Sequence, residues 1–154
     1  MRELAATLMR AGATRAWFLH HRDLPAAAHE RDALLARLVG GPDPGARLAD
    51  GVGAPGVESL VVVGPSLRDE CDVDAQVAWI DPRSGAVDWR ADDGGLLAAV
   101  GVFALWEGLH PCHEGVTRVR IWHGGARQRV DALVPVRAGR VIETGGFREH
   151  DVPF

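Results

Sequence analysis

The chain contains no lysine; its 17 positive charges are all arginine. That excludes Schiff-base chemistry and pyridoxal phosphate attachment, which need a lysine amine, and the lysine-dependent phosphate loop. Cysteine is scarce. Cys71 and Cys112 are too few for a disulfide framework and fit a reducing compartment. No apolar run reaches the ~20 residues that cross a bilayer. The opening Met1-Arg2-Glu3-Leu4 lacks the apolar core of a secretory leader. A net charge of −4 leaves no basic footprint, so nucleic acid is not expected as a partner. Together these absences predict a cytoplasmic protein with neither membrane nor nucleic acid as a partner.

What is present suits one domain. The 154 residues are 47% hydrophobic and 25% charged, enough to hold a core unaided. Thr14 to His20 predicts a strand through Trp17, Phe18 and Leu19, broken by Asp23-Leu24-Pro25. His29 to Val39 predicts a helix with an apolar stripe of Ala33, Leu34, Leu35 and Leu38, and with Glu30, Arg31 and Arg37 facing away. Gly40-Gly41-Pro42 stops it, and a Gly/Pro/Asp-rich loop runs from Pro42 to Gly56. Leu60 to Val63 and Ala75 to Ile80 read as strands. Asp81-Pro82-Arg83-Ser84-Gly85 turns the chain back into Ala86 to Arg90.

Gly94 to Gly108 is apolar nearly all round, which predicts a helix enclosed by other elements. Thr117 to His123 alternates, with Val119 and Ile121 against Arg118 and Arg120. Gly124-Gly125 permits a tight hairpin into Val130 to Val136, and Ala138-Gly139 turns into Arg140 to Glu143. Pro135 favours an edge or a bulge for its strand. The expected fold is α+β: a curved mixed or antiparallel sheet, a half-barrel, wrapped around a central buried helix, all within one domain from 1 to 154.

Chemistry concentrates at few places. Asp92-Asp93-Gly94-Gly95 opens the apolar helix. Helix N-termini present free N–H groups and the positive end of the dipole, and glycines let a ligand approach the backbone. An Asp there either caps the helix or serves as a general acid or base. Met9-Arg10-Ala11-Gly12-Ala13-Thr14-Arg15 sets two arginines around a glycine turn, a fork that matches a carboxylate or an ordinary solvated loop. His110-Pro111-Cys112-His113-Glu114 has zinc-binding residue types but lacks a second spaced ligand pair, so no metal is expected. His20 ends a strand and His21 faces solvent. Cys71 lies among Asp69, Glu70 and Asp72, a setting that raises a thiol pKa and makes a poor nucleophile.

Several stretches together resemble the N-terminal half of the 2-methylaconitate cis–trans isomerase (PrpF) family. Its relatives include 4-oxalomesaconate tautomerase, diaminopimelate epimerase and the phenazine-pathway isomerase fold. The stretches are 9–15, Gly41-Pro42-Asp43-Pro44, Asp50-Gly51-Val52-Gly53, Asp72-Val73-Asp74, Val87-Asp88-Trp89, 96–101, Val134-Pro135-Val136 and Glu143-Thr144-Gly145. Their order and spacing hold along nearly the whole chain. The resemblance implies two similar halves, each a sheet around a central helix, with the active site in the cleft between them. This sequence matches one half, so a cleft would need a homodimer or a second PrpF-like chain.

The departures fall on the chemistry. The family pattern before the helix is Gly-Asn-Cys-Gly-Asn, with the cysteine as acid/base; here Asp93 stands at the cysteine position. The family lysine before the strand at Val61 is missing, and the nearest position is Leu60. In the family's Met-Arg-Gly-Gly-Thr-Ser-Lys-Gly stretch, Met9, Arg10 and Gly12 are kept, Thr14 stands for serine and Arg15 for lysine. The resulting expectation is a cofactor-independent isomerase or cyclase acting on an unsaturated or enolisable carboxylate in bacterial specialised metabolism. Asp93, with Asp92, would be the acid/base. Gly94 and Gly95 would offer N–H groups to developing negative charge, and Arg10, Thr14 and Arg15 would hold the substrate. The alternative is a non-catalytic binding subunit that pairs with a separate chain.

Overall fold

The computed structural model describes residues 4–39, 59–91, 93–142, 148–149 and 152–153. Asp92, the 42–56 loop and the stretches at 41–44, 50–53 and 143–145 lie outside the described residues. The order is β1 (Ala6–Ala11), β2 (Thr14–His20), a single 3-10 turn (His21–Asp23), α1 (Ala28–Leu38), β3 (Ser59–Pro65), β4 (Val73–Ile80), β5 (Val87–Asp88), α2 (Gly94–Trp106), β6 (Gly115–His123), β7 (Gln128–Arg137) and β8 (Arg140–Val141). A separate pair, β9 (Arg148–Glu149) and β10 (Val152–Pro153), follows. β1, like the short pair β9 and β10, is a strand that the sequence reading did not assign. It is an edge strand of small and mixed residues, with Leu8 exposed, so its alternation is weak.

One sheet runs β1-β2-β3-β4-β6-β7-β8, with β5 paired to β4. It is mixed: β2–β3 and β4–β6 are parallel and the other pairs antiparallel. A parallel pair needs a crossover, which a hairpin cannot supply. α1 lies in the crossover from β2 to β3, and α2 in the crossover from β4 to β6. The two helices pack on opposite faces, and side-chain alternation sorts each strand between them. Ala16, Phe18, Val61, Val63, Val73, Ala75, Val77, Val119, Ile121, Ala132 and Val134 join α2 in the inner core. Trp17, Leu19, Leu60, Val62, Ala78 and Ile80 join Leu35 and Leu38 of α1 in the outer core.

The sheet curls so far that α2 touches β1, β2, β3, β4, β6, β7 and β8. This is the half-barrel around a central helix. Leu96, Leu97, Val100, Phe103 and Leu105 are buried there, each contributing roughly 2 kcal/mol. Gly101 sets the closeness: a Cβ at that position would lie 2.7 Å from Ala132 Cβ and 3.0 Å from Val134 Cγ2. Enclosure is incomplete, contrary to the all-round apolar pattern. Gly94, Ala98 and Trp106 are exposed and Val102 half-buried, one stripe at four-residue spacing.

Other expectations are corrected locally. Ala33 is exposed, so the buried stripe of α1 is Leu35 and Leu38 with Leu34 partly buried. Arg31 does not simply face solvent; its guanidinium lies 4.3 Å over the Trp89 ring, whose indole N–H donates to Asp32 at 3.0 Å. β7 is not the edge strand, but only two-residue β8 lies beyond it. The Pro135 carbonyl accepts from Ile142 on that side. The proline nitrogen points the same way, so the β6 ladder loses no donor. No helix among the described residues is long and apolar enough to cross a membrane.

Candidate functional site

The N-terminal end of α2 meets the tip of the β1–β2 hairpin. Ala11 pairs with Thr14 across a two-residue turn, and Gly12 takes φ +62°, which glycine adopts without strain. A Cβ on Gly95 would lie 4.0 Å from the Ala11 carbonyl oxygen, so the hairpin tip sits directly beside the first turn of the helix. The sequence therefore brings 9–15 and 93–95 together from positions some eighty residues apart.

Within that corner the residues divide by face. Met9 and Ala11 pack against the inner core, and Thr14, opposite Ala11, shares their face with α2. Arg10 and Arg15 are directly opposite each other and exposed, on the outer face of the hairpin. The structure thus brings Thr14, Asp93, Gly94 and Gly95 to one side and places the arginine pair on the other. Neither arginine has a carboxylate partner among the described residues. Like charges directly across a strand pair repel.

Asp93 is the helix cap. Its backbone is extended (φ −130°, ψ 92°), its Oδ1 accepts from Gly95 N–H at 3.1 Å, and its carbonyl accepts from Leu96 N–H at 3.1 Å. It is half-buried, while Gly94 and Gly95 are exposed. No described residue lies within 4 Å of a Cβ built on Gly94. The Gly95 N–H is engaged by Asp93, and Asp93 Oδ2 makes no hydrogen bond among the described residues. The cap thus offers one carboxylate oxygen and an open glycine turn at the positive end of the helix dipole.

The β6–β7 hairpin closes the other flank, and its glycines serve a purpose other than the one expected. The turn spans 124–127 and its positive φ falls on Arg127 (53°), not on Gly124 or Gly125. The glycines allow close approach: a Cβ on Gly124 would lie 2.9 Å from Gln76 Cγ, and one on Gly125 would lie 3.1 Å from the Ala91 carbonyl oxygen and 3.0 Å from His123 Cε1. His123 is fully buried, and its Nδ1 accepts from Gly125 N–H at 3.2 Å and Ala126 N–H at 3.4 Å. Sequence reading passed over His123 as a strand terminus. The available signal was a histidine ending an inward alternation, Val119-Ile121-His123, immediately before Gly-Gly.

The remaining candidates are built into the scaffold. No metal-binding group of His, Cys, Asp and Glu occurs among the described residues. His110 Nε2 instead lies 3.6 Å from Asp72 Oδ2, and the His113 backbone bonds both ways with the Thr117 hydroxyl at 2.8 and 2.9 Å. Asp72 takes Arg120 in a fork, 2.7 Å to Oδ1 and 3.2 Å to Oδ2, and also accepts the Arg120 backbone N–H at 2.8 Å. The Arg120 side-chain bonds hold the Asp72 carboxyl below its usual range, against the opposing effect of burial. Cys71 is buried; burial first, then Glu70, pushes its thiol up. His20 is buried and accepts the Arg22 N–H at 3.1 Å, and burial lowers its pKa. His21 is exposed but packs its Cβ against Gly64.

Comparison with known proteins places this architecture. The chain is 38% identical over 162 residues to the 2-methyl-aconitate isomerase of Shewanella oneidensis, covering 99% of this chain and 41% of that protein. It is 37% identical over 150 residues to the 4-oxalomesaconate tautomerase of Pseudomonas putida, covering 95% of this chain and 40% of that protein. The chain thus spans about two fifths of the length of these relatives. The crystal structure of a methylitaconate-delta-isomerase superposes with a TM-score of 0.84 at 31% identity, covering 97% of this chain and 67% of the other. The family model described as PrpF protein matches residues 1–154, and the chain belongs to that family.

Proposed function

We propose that this chain supplies the acid/base half of a cofactor-independent isomerase acting on an unsaturated or enolisable carboxylate, in the cytoplasm of a bacterium and in specialised metabolism. The observation that carries this is Asp93: a half-buried carboxylate capping α2, with one oxygen uncommitted among the described residues and two exposed glycines beside it. The names of the relatives support the substrate class, since methylaconitate, methylitaconate and oxalomesaconate are unsaturated carboxylates. In this reading Asp93 Oδ2 takes a proton from the carbon next to the double bond. The C–H electron pair becomes a new C=C bond, the old double bond shifts its electrons toward the substrate carboxylate, and the proton returns at the far carbon. The charge on the dienolate intermediate sits at the positive end of α2, within reach of the Gly94 N–H. Thr14 contacts the ligand from the helix side. Arg10 and Arg15 attract its carboxylate around the hairpin tip. The same corner would serve a cyclase, by holding a reactive conformer in place.

Asp93→Asn is the decisive variant. Asparagine caps helices as well as aspartate, so the fold should persist while proton transfer is lost. The expected result is a fall of roughly 10²-fold or more in turnover, followed as proton exchange with D2O and isomer interconversion on a panel of unsaturated di- and tricarboxylates. Unchanged turnover removes Asp93 from the chemistry.

A second reading is favoured by the exposed stripe on α2. Trp106 is 47% exposed, in line with Ala98 and Val102. An apolar stripe on a central helix is the kind of surface that another chain covers. Here the protein is a subunit that pairs with a second copy or a separate PrpF-like chain, with or without its own catalysis. Sedimentation of the wild type and of Trp106→Arg tests it: pairing that the substitution disrupts supports the stripe as the interface. A monomer that captures no second chain rules it out.

A further inference from the structure

We propose that His123 is a positioning residue for Asp93, acting through the Gly124–Arg127 turn and the carbonyl of Ala91. Its functional part rests on the reading of Asp93 as the acid/base; its structural part does not. His123 ends the inward face of β6 with no exposed surface. Two backbone N–H groups of its own turn, from Gly125 and Ala126, converge on Nδ1. A nitrogen that accepts carries a lone pair, so the ring proton sits on Nε2. These two bonds tie the turn to the edge of the ring. Gly124 N–H is in turn tied to the Ala75 carbonyl at 2.9 Å, so the turn is anchored to β4 and cannot drift outward.

Gly125 is then held in a slot. A methyl group there would meet His123 on one side at 3.0 Å and the Ala91 carbonyl oxygen on the other at 3.1 Å. The Ala91 carbonyl belongs to the stretch that leads into α2, two residues before the cap in sequence. The other wall of the corner, the Ala11 carbonyl, lies beside Gly95. The start of α2 thus has a hairpin tip beside Gly95 and, just before it in sequence, a histidine-braced turn beside Ala91.

Three variants test the chain of contacts. His123→Phe fills the space but offers no acceptor, His123→Asn restores one, and Gly125→Ala pushes on Ala91 while leaving the histidine in place. The cap reports on itself through the Gly95 amide shift and the exchange of the Leu96 amide, whose acceptors are both on Asp93. In His123→Phe the Leu96 amide should exchange about tenfold faster, as expected for a weakened cap. The Gly95 amide should move toward its free position, and the Val100 and Ala104 amides should stay protected. His123→Asn should recover most of both signals. Unmoved Gly95 and Leu96 amides overturn the proposal, as does a loss spread equally over Val100 and Ala104. Should His123→Phe not fold, Gly125→Ala decides: an unchanged Gly95 amide refutes the link. With an unsaturated carboxylate that the wild type turns over, kcat should fall while KM stays within about twofold, the mark of a displaced catalytic group. A wild type that turns over none of them defeats the enzyme reading while the amide signals still judge the brace.

Discussion

At its C-terminal end α2 is closed by its own backbone. Gly108, at φ +69°, lets its N–H reach the Leu105 carbonyl and the Leu109 N–H reach Ala104, while Leu109 packs into the inner core. This pair of bonds, with its apolar contact, satisfies the last carbonyls of the helix. The chain beyond it is tied down by Thr117 to His113 and bordered by the Asp72–Arg120 fork. At the N-terminal end one side chain, Asp93, does the capping, two glycines are exposed, and the flanking hairpins come close without filling the space over Gly94. The dense end secures the helix, and this leaves the sparse end free to present unsatisfied donors and one carboxylate oxygen. Substitutions at the two ends should therefore separate stability from chemistry.

The largest effect on stability is expected at the dense end. Asp72→Ala removes three hydrogen bonds from Arg120 at a mostly buried carboxylate and should cost about 2 kcal/mol, measured by urea unfolding, without touching ligand binding at the α2 N-terminus. The pH dependence has a definite sign. The folded Asp72 carboxyl lies below its ordinary range because Arg120 holds it ionised. Its contribution is complete above the unfolded value near about pH 4 and is lost as pH falls through the lower, folded value. The stability gap between wild type and Asp72→Asn should accordingly be constant above about pH 5 and shrink below about pH 4. A gap that persists to lower pH, or that widens, would show that the fork does not work as an ion pair. Loss of turnover with intact unfolding would break the division between the two ends.

How far the sequence revealed this depended on whether a residue's role was local. The α2 helix, the β6–β7 meander and the β2 strand follow from periodicity, which short-range sterics impose. Asp93 was legible as a cap because capping is decided within three residues. The curl of the sheet followed from the resemblance to a known family and from the need to surround an apolar helix. The outward placement of Arg10 and Arg15 was not legible: it depends on the register of β1, an edge strand whose alternation is too weak to read. His123 was not legible as a brace because its role depends on Ala91 arriving from another part of the chain. The open stripe on α2 was hidden by composition, which records that a helix is apolar but not whether its neighbours go all the way round.

Glycine offers the finest test of the two ends, because Gly108 and Gly94 play opposite parts in one helix. Gly108 stands at positive φ, where a Cβ is strained whatever the surrounding space. Gly108→Ala should therefore destabilise by about 1 kcal/mol and leave ligand affinity unchanged. Gly94 lies in the first turn with no described residue near its Cβ position. Gly94→Ala removes chain freedom from the unfolded state without adding strain and should stabilise by about 0.5 kcal/mol. The same methyl group stands where a carboxylate would approach the helix N-terminus, so binding of an unsaturated dicarboxylate should weaken severalfold even as the melting temperature rises. Opposite movements of stability and affinity at Gly94 would mark the sparse end as a surface kept bare for a ligand. Parallel movements, or affinity indifferent to the methyl group, would mean that the glycine there is no more than a permissive first turn.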